Sequence, residues 1–337
     1  MKNYVLITNA NAIDKNKWSE FVYNHPHGNI FQTPEMYNVY QRTKKYQPIV
    51  VAVVENNEEI IGILLAVIQK EYSGVLGNFT ARSIMHGGPL IKDDDTYILD
   101  LILKEYNKII KKKGIYSQFR NSWNWCDSKH IFIKNGFGYE EHLNILIDLT
   151  KTEEQLWKEV NPKGKNKLRR AKKEGTFFSI ENTEDSLKKC YGTLQEVYNR
   201  AKMPIPAYNL FYNLYRIGSN SKFIIACAYY ESEIIGCMLA LSYKDTIYDF
   251  YAGSKVNFYN KYPNDLIPWE VFKWGKENNY KVFDFGGAGK PGIPYGVRDY
   301  KKKFGGEFVN YGRFEKVHKP ILFNIAKSGF SVWQKIR

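Results

Sequence analysis

Apolar residues along the chain form short, strand-length runs, separated by segments in which they recur at helical spacing. The longest run, residues 60–68, is interrupted by Gly62 and is about half as long as a membrane span requires, so it predicts a buried strand. Residues 48–54 and 222–230 form further apolar runs, and residues 99–113 show the spacing of a helix. This alternation predicts a protein that combines sheets with helices.

One decapeptide occurs twice. Residues 57–66 read NEEIIGILLA and residues 231–240 read ESEIIGCMLA, so six positions are identical at an offset of 174 residues. The identical positions are Glu59, Ile60, Ile61, Gly62, Leu65 and Ala66 in the first copy and Glu233, Ile234, Ile235, Gly236, Leu239 and Ala240 in the second. Each copy follows an apolar run, which predicts a β-hairpin with a polar turn in each half.

The order of the predicted elements is also repeated. A helical pattern at 99–113 precedes a strand at 115–120, and a second helical pattern at 266–278 precedes a strand at 281–285. Each half then closes with an extended segment, at 143–149 and at 308–314. We interpret this order as a duplication, and we predict an α/β (mixed α+β) fold with a first domain over 1–150 and a second over 151–318.

Charge and composition narrow the class of protein. The 337 residues include 49 Lys or Arg and 35 Asp or Glu, which gives a formal net charge of +14 and favours anionic partners. The apolar content of 44% is that of a folded chain, so global disorder and a small disulfide scaffold are excluded. The four cysteines form no C-x-x-C pair and the first residues carry no apolar secretory segment, so we expect a cytoplasmic protein.

The most basic stretch lies between the two halves. Residues 161–175 contain seven basic residues and one acid, and Pro162 and Gly175 are suited to begin and end a helix there. A solvated helix face would account for such a run. Because seven like charges repel one another unless anions neutralise them, the pattern favours a phosphate-binding role.

Several short motifs resemble those of one known family. They are IFQTPE at 30–35, HGGPL at 86–90, KLRRAKKEG at 167–175, YDFYAGS at 248–254, YPNDLIPWE at 262–270, FDFGG at 283–287 and YKKKFG at 300–305. In this order the chain resembles the Fem-type aminoacyl transferases, which build peptidoglycan bridges from aminoacyl-tRNA, and their relatives in surface-polysaccharide synthesis. The resemblance implies two tandem GNAT-like (acyl-CoA N-acyltransferase-like) domains and a C-terminal helix at 319–337 that returns to the first domain.

The resemblance also implies where catalysis occurs. Aminoacyl transfer needs a cation near the ester, a proton acceptor and a basic track for phosphates, and it requires no metal or other cofactor. The family places a lysine after an aromatic residue close to the tRNA terminus, which corresponds to Lys301, and Arg298 lies just upstream. The adjacent Lys302 and Lys303 leave the register open, and a solvated lysine loop is the simpler alternative.

Further residues are implied for substrate binding. Arg169 and Arg170 match the basic stretch that meets the diphosphate of the acceptor in relatives, and the guanidinium fork binds phosphate oxygens bidentately. Tyr248 and Tyr251 resemble positions that line the substrate groove, although an ordinary strand aromatic would give the same pattern.

Two aspartates are candidates with more than one interpretation. The family's carboxylate after Gly-Pro suggests Asp93 as the proton acceptor, while deprotonation by the substrate itself is a rival. Asp284 lies at a predicted strand end in a glycine-rich segment, where it could bind loop amides or belong to the substrate site.

The expected activity is therefore transfer from aminoacyl-tRNA to an amine of a cell-envelope precursor. An acyl-CoA-dependent N-acyltransferase acting on a surface-polysaccharide or amino-sugar precursor is the first alternative. It is disfavoured because the segments before both central helices, 91–96 and 260–265, lack the glycines of a pyrophosphate loop. A non-catalytic RNA-binding protein is the second alternative.

The tail and the assembly are expectations of the same kind. Residues 321–337 place Leu322, Ile325, Ala326, Trp333 and Ile336 near one helical face. We expect this face to pack on the first domain, and the alternative is that it lies on an anionic membrane surface. We further expect a monomer that binds aminoacyl-tRNA and a nucleotide- or lipid-linked precursor, at most peripheral to the membrane.

Overall fold

A computed structural model describes residues 3–56, 59–71, 77, 79–218 and 221–336, with the side chains of the last helix as far as Gly329. The chain divides into two units, of which the first comprises Met1–Glu141 and Tyr311–Arg337 and the second His142–Asn310. The repeated decapeptide falls in both, although its residues 57 and 58 lie outside the described residues.

The helices and strands are numbered along the chain. The helices are α1 (Lys15–Asn24), α2 (Pro34–Arg42), α3 (Thr96–Lys113), α4 (Lys129–Lys134), α5 (Glu153–Glu159), α6 (Pro162–Lys173), α7 (Glu184–Arg200), α8 (Tyr208–Tyr215), α9 (Pro263–Glu277), α10 (Gly296–Lys302) and α11 (Pro320–Ile336). The strands are β1 (Tyr4–Ile7), β2 (Tyr46–Glu55), β3 (Glu59–Gln69), β4 (Arg82–His86), β5 (Leu90–Ile91), β6 (Tyr116–Arg120), β7 (Gly138–Glu140), β8 (Leu143–Asp148), β9 (Thr176–Glu181), β10 (Ser221–Tyr230), β11 (Glu233–Tyr243), β12 (Thr246–Ser254), β13 (Val282–Gly287), β14 (Glu307–Asn310) and β15 (Arg313–Val317).

Each unit contains one mixed sheet. The first sheet has the order β1-β2-β3-β4-β6-β15-β7, with β5 beside β3, and the second has the order β14-β8-β13-β12-β11-β10-β9. The predicted hairpins are β2·β3 and β10·β11, and the parallel pairs are β4·β6 and β12·β13. Read from opposite ends, the two orders match strand for strand, so the prediction of a mixed α+β fold with two similar sheets is confirmed.

The division of the chain differs from the expected boundaries at 150 and 318. The segment predicted to close the first half forms β8, which lies in the second sheet between β13 and β14. The last strand, β15, lies in the first sheet between β6 and β7. The reason is burial: Ile145 and Ile147 of β8 belong to the second core, and Phe314 of β15 stacks on Phe132 at 3.9 Å in the first. A sequence pattern shows that a strand has a buried face but not which core buries it.

The glycine of the repeat has the same role in both units. A Cβ atom on Gly62 would lie 2.8 Å from Ile98 of α3, and one on Gly236 would lie 2.9 Å from Pro263 of α9. In each unit the missing side chain therefore lets the central helix approach the second strand of the hairpin.

The last helix, α11, belongs to the first unit, where Phe323 stacks on Tyr116 of β6 with ring centroids 5.2 Å apart. The predicted apolar face is divided: Leu322 and Ala326 are partly buried, but Ile325 is 59% exposed. Among the described residues, no helix combines the length and the apolar character that crossing a bilayer requires.

Candidate active site

The parallel strands β12 and β13 separate at their carboxyl ends. Their last paired residues are Tyr248 and Asp284, after which β12 continues beside β11 as far as Ser254. On its other side, β13 pairs with β8 through an irregular register. The point at which parallel strands part is a common place for a ligand site in sheets of this kind.

Lys301 lies at this separation. Its ammonium donates hydrogen bonds to the carbonyl oxygens of Phe285 at 2.6 Å and Gly287 at 2.9 Å, both beyond the last pair with β12. The side chain is only 8% exposed, and burial lowers the pKa of Lys301 while the charges of Asp249 and Asp284 oppose that shift. The lysine therefore occupies the gap between the strands as a fixed, nearly buried cation.

Two carboxylates face this cation. Burial raises the pKa of Asp249 to about 6, a shift that Lys301 opposes and Asp284 reinforces. Burial likewise raises the pKa of Asp284 to about 6, against the hydrogen bond from the Gly286 amide, which lies 2.7 Å from Oδ1, and the charge of Lys301. Two acids and one lysine share a buried site that holds only one positive charge, so one acid readily takes up a proton near neutral pH.

Two tyrosines complete the polar cluster. Burial, with the nearby charge of Asp284 in second place, raises the pKa of Tyr248. Burial and the charge of Asp249 raise the pKa of Tyr300, whose hydroxyl donates to the carbonyl oxygen of Asn264 at 2.6 Å. Both hydroxyls therefore remain protonated at neutral pH.

A buried ion pair holds the residue that follows α10. Lys303 is bonded to Asp265 in the first turn of α9, and both side chains are about nine-tenths buried, at 10% and 7% exposure. The ammonium of Lys303 also lies 4.1 Å from the centroid of the Tyr300 ring. The pair fixes the residues that flank Lys301, so the adjacent lysines have different roles: Lys302 is exposed, and Lys303 is structural.

The basic helix α6 begins beside the same segment. The amide of Asn161, its N-cap, donates to the carbonyl oxygen of Lys303 at 2.8 Å, and the charge of Lys167 contributes to lowering the pKa of Lys303, after the larger effect of burial. Arg169 and Arg170 are exposed on α6 and lie over the rings of Trp157 and Tyr262, 5.7 and 4.9 Å from the ring centroids. The start of the basic helix is thus bonded to the segment that carries Lys301 and Lys303.

Two of the expected binding residues make packing or loop contacts in the second unit. Tyr251 packs against Phe211 and Tyr198, with ring centroids 5.0 and 5.7 Å away, in the apolar cluster under α7 and α8. Arg298 donates to the carbonyl oxygens of Lys290 and Ile293 and so ties down the loop before α10. The structure therefore gives both residues packing or loop-fixing contacts.

Asp93 lies in the first unit. It is exposed, has a left-handed backbone (φ 54°) and lines a cavity of about 620 Å³ beside α1. His25, whose ring nitrogen Nε2 lies 2.9 Å from the carbonyl oxygen of Ile91, and Glu59 line the same cavity. The role of Asp93 as proton acceptor stays a prediction.

The first unit lacks the acid pair at the corresponding strand ends. The 174-residue offset aligns β3 with β11, and the pairing registers then align β4 with β12 and β6 with β13. By this register, Ile84, Met85 and Gln118 stand where the second unit has Tyr248, Asp249 and Asp284. Chemistry that needs these carboxylates therefore belongs to the second unit. Among the described residues, no group of three metal-binding side chains is found.

Sequence reasoning missed Asp249, Asp265 and the structural role of Lys303. The available signal was a charged residue inside a strand pattern: Asp249 follows Tyr248 in a segment otherwise rich in aromatic residues. A charge that interrupts a buried strand is costly unless it is paired or functional, so Asp249 is as strong a candidate for a site residue as Lys301.

The two units share one mixed-sheet topology, and the polar cluster around Lys301 lies in the second. Residues 163–302 match the family model described as the acetyltransferase (GNAT) domain. This match lies within the second unit and agrees with the expectation of an acyltransferase. Curated protein sequences gave no match.

Three solved structures show the same fold over nearly the whole chain. FemX has a TM-score of 0.70 at 14% identity, covering 93% of this chain and 98% of its own. A tandem GNAT protein from the clavulanic acid biosynthesis pathway has a TM-score of 0.61 at 9% identity, covering 94% and 99%. The C-terminal domain of a protein described as a lysylphosphatidylglycerol synthetase, from Agrobacterium fabrum, has a TM-score of 0.59 at 12% identity, covering 95% and 96%. The architecture implied by the Fem resemblance is therefore confirmed.

Proposed function

We propose that this protein transfers an aminoacyl group from aminoacyl-tRNA to an amine of a cell-envelope precursor, forming an amide bond. The observation that carries the proposal is the placement of Lys301 and Asp249 at the parting of β12 and β13. A fixed cation and a carboxylate with a pKa of about 6 are suited to stabilise the developing negative charge and to accept the proton.

The reaction balances without a cofactor. The amine nitrogen attacks the carbonyl carbon of the aminoacyl ester, the new C–N bond forms, and the C–O bond to the terminal ribose of the tRNA breaks. One proton leaves the attacking amine and one is delivered to the departing ribose oxygen. The protein holds the two substrates in line, stabilises the oxygen that gains negative charge, and moves the proton.

Lys301 is suited to stabilise the negative oxygen. An ammonium group has three N–H donors, and the carbonyl oxygens of Phe285 and Gly287 accept two of them. The third N–H can point at the carbonyl oxygen of the ester as negative charge develops there. Because the side chain is already fixed and almost fully buried, forming this hydrogen bond requires little reorganisation in the transition state.

Asp249 is suited to accept the proton. A carboxylate with a pKa of about 6 is ionised at neutral pH and still basic enough to take a proton from the attacking amine. Asp93 in the first unit and deprotonation by the substrate itself are the competing assignments, and the pH profiles of Asp249→Asn and Asp93→Asn distinguish the two aspartates.

The beginnings of the two central helices argue against coenzyme A as the donor. A pyrophosphate would bind free amides at a helix N-terminus. In the first unit, Asp95 accepts hydrogen bonds from the amides of Tyr97 and Ile98 at the start of α3. In the second unit, α9 begins with Pro263, which has no N–H, and carries the carboxylate of Asp265 in its first turn. The first helix start therefore has two amides bonded to a carboxylate, and the second lacks one N–H and carries a carboxylate.

The basic helix α6 supports phosphorylated substrates. Arg169 and Arg170 are exposed on a helix of seven basic residues whose N-terminus contacts the Lys303 segment. We assign the two arginines to the diphosphate of a nucleotide- or lipid-linked acceptor, as the Fem resemblance implies. The similarity in fold to FemX and to the lysylphosphatidylglycerol synthetase domain supports aminoacyl chemistry at the cell envelope.

Single-turnover assays test the proposal. The purified protein is mixed with tRNA charged with radiolabelled amino acids and with nucleotide- and lipid-linked peptidoglycan precursors, and amide formation is followed. Parallel reactions contain radiolabelled acetyl-CoA. Transfer from charged tRNA, lost in Lys301→Met, is expected. Transfer from acetyl-CoA alone would establish the acyl-CoA reading instead, and tRNA binding without turnover from either donor would identify an RNA-binding protein.

A further inference from the structure

The start of α11 presents apolar side chains to solvent. Ile321 is 77% exposed, Ile325 is 59% exposed, and Val317 at the end of β15 is 39% exposed. Ile321 and Ile325 are one helical turn apart and therefore lie side by side. Their neighbours Leu322 and Phe323 are partly buried, so this helix has a packed side and an exposed apolar side.

Three lysines end the helix that leads to the start of α11. The helix α3 ends with three exposed lysines, Lys111, Lys112 and Lys113. The chain just beyond them contacts the start of α11: the carbonyl oxygen of Ile115 accepts hydrogen bonds from the amides of His318 at 2.9 Å and Lys319 at 3.3 Å. The α3 lysines are thus brought to the beginning of the exposed apolar helix.

The end of α3 and the chain from the end of β15 onward contain no acidic residue. Residues 106–114 and 316–337 include nine Lys or Arg and no Asp or Glu. The adjoining Glu105 is paired with Lys108 at 2.9 Å, and Glu315 accepts a hydrogen bond from Gln118 at 2.6 Å. We call the surface formed by Lys111, Lys112, Lys113, Val317, Lys319, Ile321, Ile325 and Lys327 the tail patch.

We propose that the tail patch docks the protein on an anionic lipid bilayer. Exposed isoleucines on a helix with lysines near its start suit the boundary between acyl chains and headgroups, where the apolar side chains insert and the lysines meet negative phosphates. A nucleic acid would use the lysines but gives the isoleucines no partner. The proposal concerns where the protein binds and holds whether or not the transfer reaction is as proposed.

Liposome co-sedimentation of the full chain tests this docking. Vesicles of phosphatidylcholine with phosphatidylglycerol are compared with vesicles of phosphatidylcholine alone. We expect sedimentation only with the anionic vesicles and its loss as salt is added. Ile321→Ser/Ile325→Ser should lower the partition coefficient by at least about tenfold, and Lys112→Gln/Lys113→Gln by about fivefold for each lysine.

Matched controls come from the same unit. Ile133→Ser removes another isoleucine that is 53% exposed, and Lys15→Gln/Lys44→Gln removes two other exposed lysines. Both controls should sediment like the unaltered protein, and thermal melting confirms that every variant is folded. The proposal is wrong if the unaltered protein stays in the supernatant, or if the tail-patch variants bind vesicles as well as the controls. It is also wrong if the lysine variants lose tRNA binding while the isoleucine variants retain full vesicle binding.

Discussion

The ammonium of Lys301 donates a hydrogen bond to the carbonyl oxygen of Phe285, at a distance of 2.6 Å, across the gap where β13 leaves β12. In a continuous sheet, a backbone N–H of the neighbouring strand would donate a hydrogen bond to that carbonyl oxygen. A lysine in its place puts a positive charge at the centre of the sheet, where burial makes its effect on a nearby oxygen large.

Replacing this lysine tests its catalytic role. Lys301→Met should lower kcat by about a hundredfold or more, since loss of one charge-stabilising donor has that effect at other sites. The KM values for both substrates should change little, because the interaction forms with the transition state. Stopped-time assays of amide formation give both constants. Lys302→Met, in the exposed neighbour, is the control, and equal kcat values for the two variants would remove Lys301 from the mechanism.

The pH dependence of the reaction tests Asp249. Its raised pKa of about 6 means that the ionised, proton-accepting form is lost as the pH falls through 6. The value of kcat/KM should therefore rise with pH up to about 6 and then level off. Asp249→Asn should abolish this rise and lower the plateau by about a hundredfold. A normal profile in Asp249→Asn, together with its loss in Asp93→Asn, would transfer the role to the first unit.

The same carboxyl should reduce stability at neutral pH. The folded pKa of Asp249, about 6, lies above its ordinary value of 3.8, so the unfolded chain releases this proton more readily than the folded protein. Ionisation therefore destabilises the fold above pH 6, and the penalty disappears below about pH 4. Asp249→Asn should raise the free energy of unfolding by about 3 kcal/mol at pH 8 and change it little at pH 4. Urea unfolding at both pH values measures this, and an effect of equal size at both would contradict the assignment.

The ion pair of Lys303 and Asp265 should stabilise the second unit. Removing one member leaves a buried charge without a partner, so Lys303→Met or Asp265→Leu alone should cost about 3–5 kcal/mol. The double variant should recover most of this loss, because two apolar side chains replace the whole pair. A double-mutant cycle from thermal or urea unfolding gives the coupling, and additive losses would show that the two side chains act independently.

The arginines of α6 should act on acceptor binding. Arg169→Gln/Arg170→Gln is expected to raise the KM for a diphosphate-bearing acceptor by at least about tenfold, because a charge-assisted hydrogen bond contributes roughly 1.5–3 kcal/mol. The value of kcat at saturation should stay within about twofold. Lys15→Gln/Lys44→Gln, with the same change in charge on the first unit, is the control. An unchanged KM would leave α6 as a solvated helix.

Much of the architecture could be predicted because it depends on local patterns. The shared decapeptide and the repeated order of apolar runs and helical spacings indicated two similar sheets, and the two hairpins occur where those patterns lie. The glycine common to both copies has one physical cause in both, the close approach of a helix to the strand. Lys301, Tyr248 and Asp284 were singled out from short motifs, and the structure brings these three together with Asp249.

The sequence by itself determined which segments have a buried face, approximately where the two central helices and the basic helix lie, and which polar residues interrupt apolar segments. Only the tertiary structure decided that β8 joins the second sheet and β15 the first. It also decided that Tyr251 packs under α7 and α8, and that Arg298 binds the loop before α10. The physical reason is that periodicity records the environment of a side chain along one element. The identity of the core that buries a strand, and the pKa of a carboxyl such as that of Asp249, depend on charges and packing contributed by residues far away in the chain.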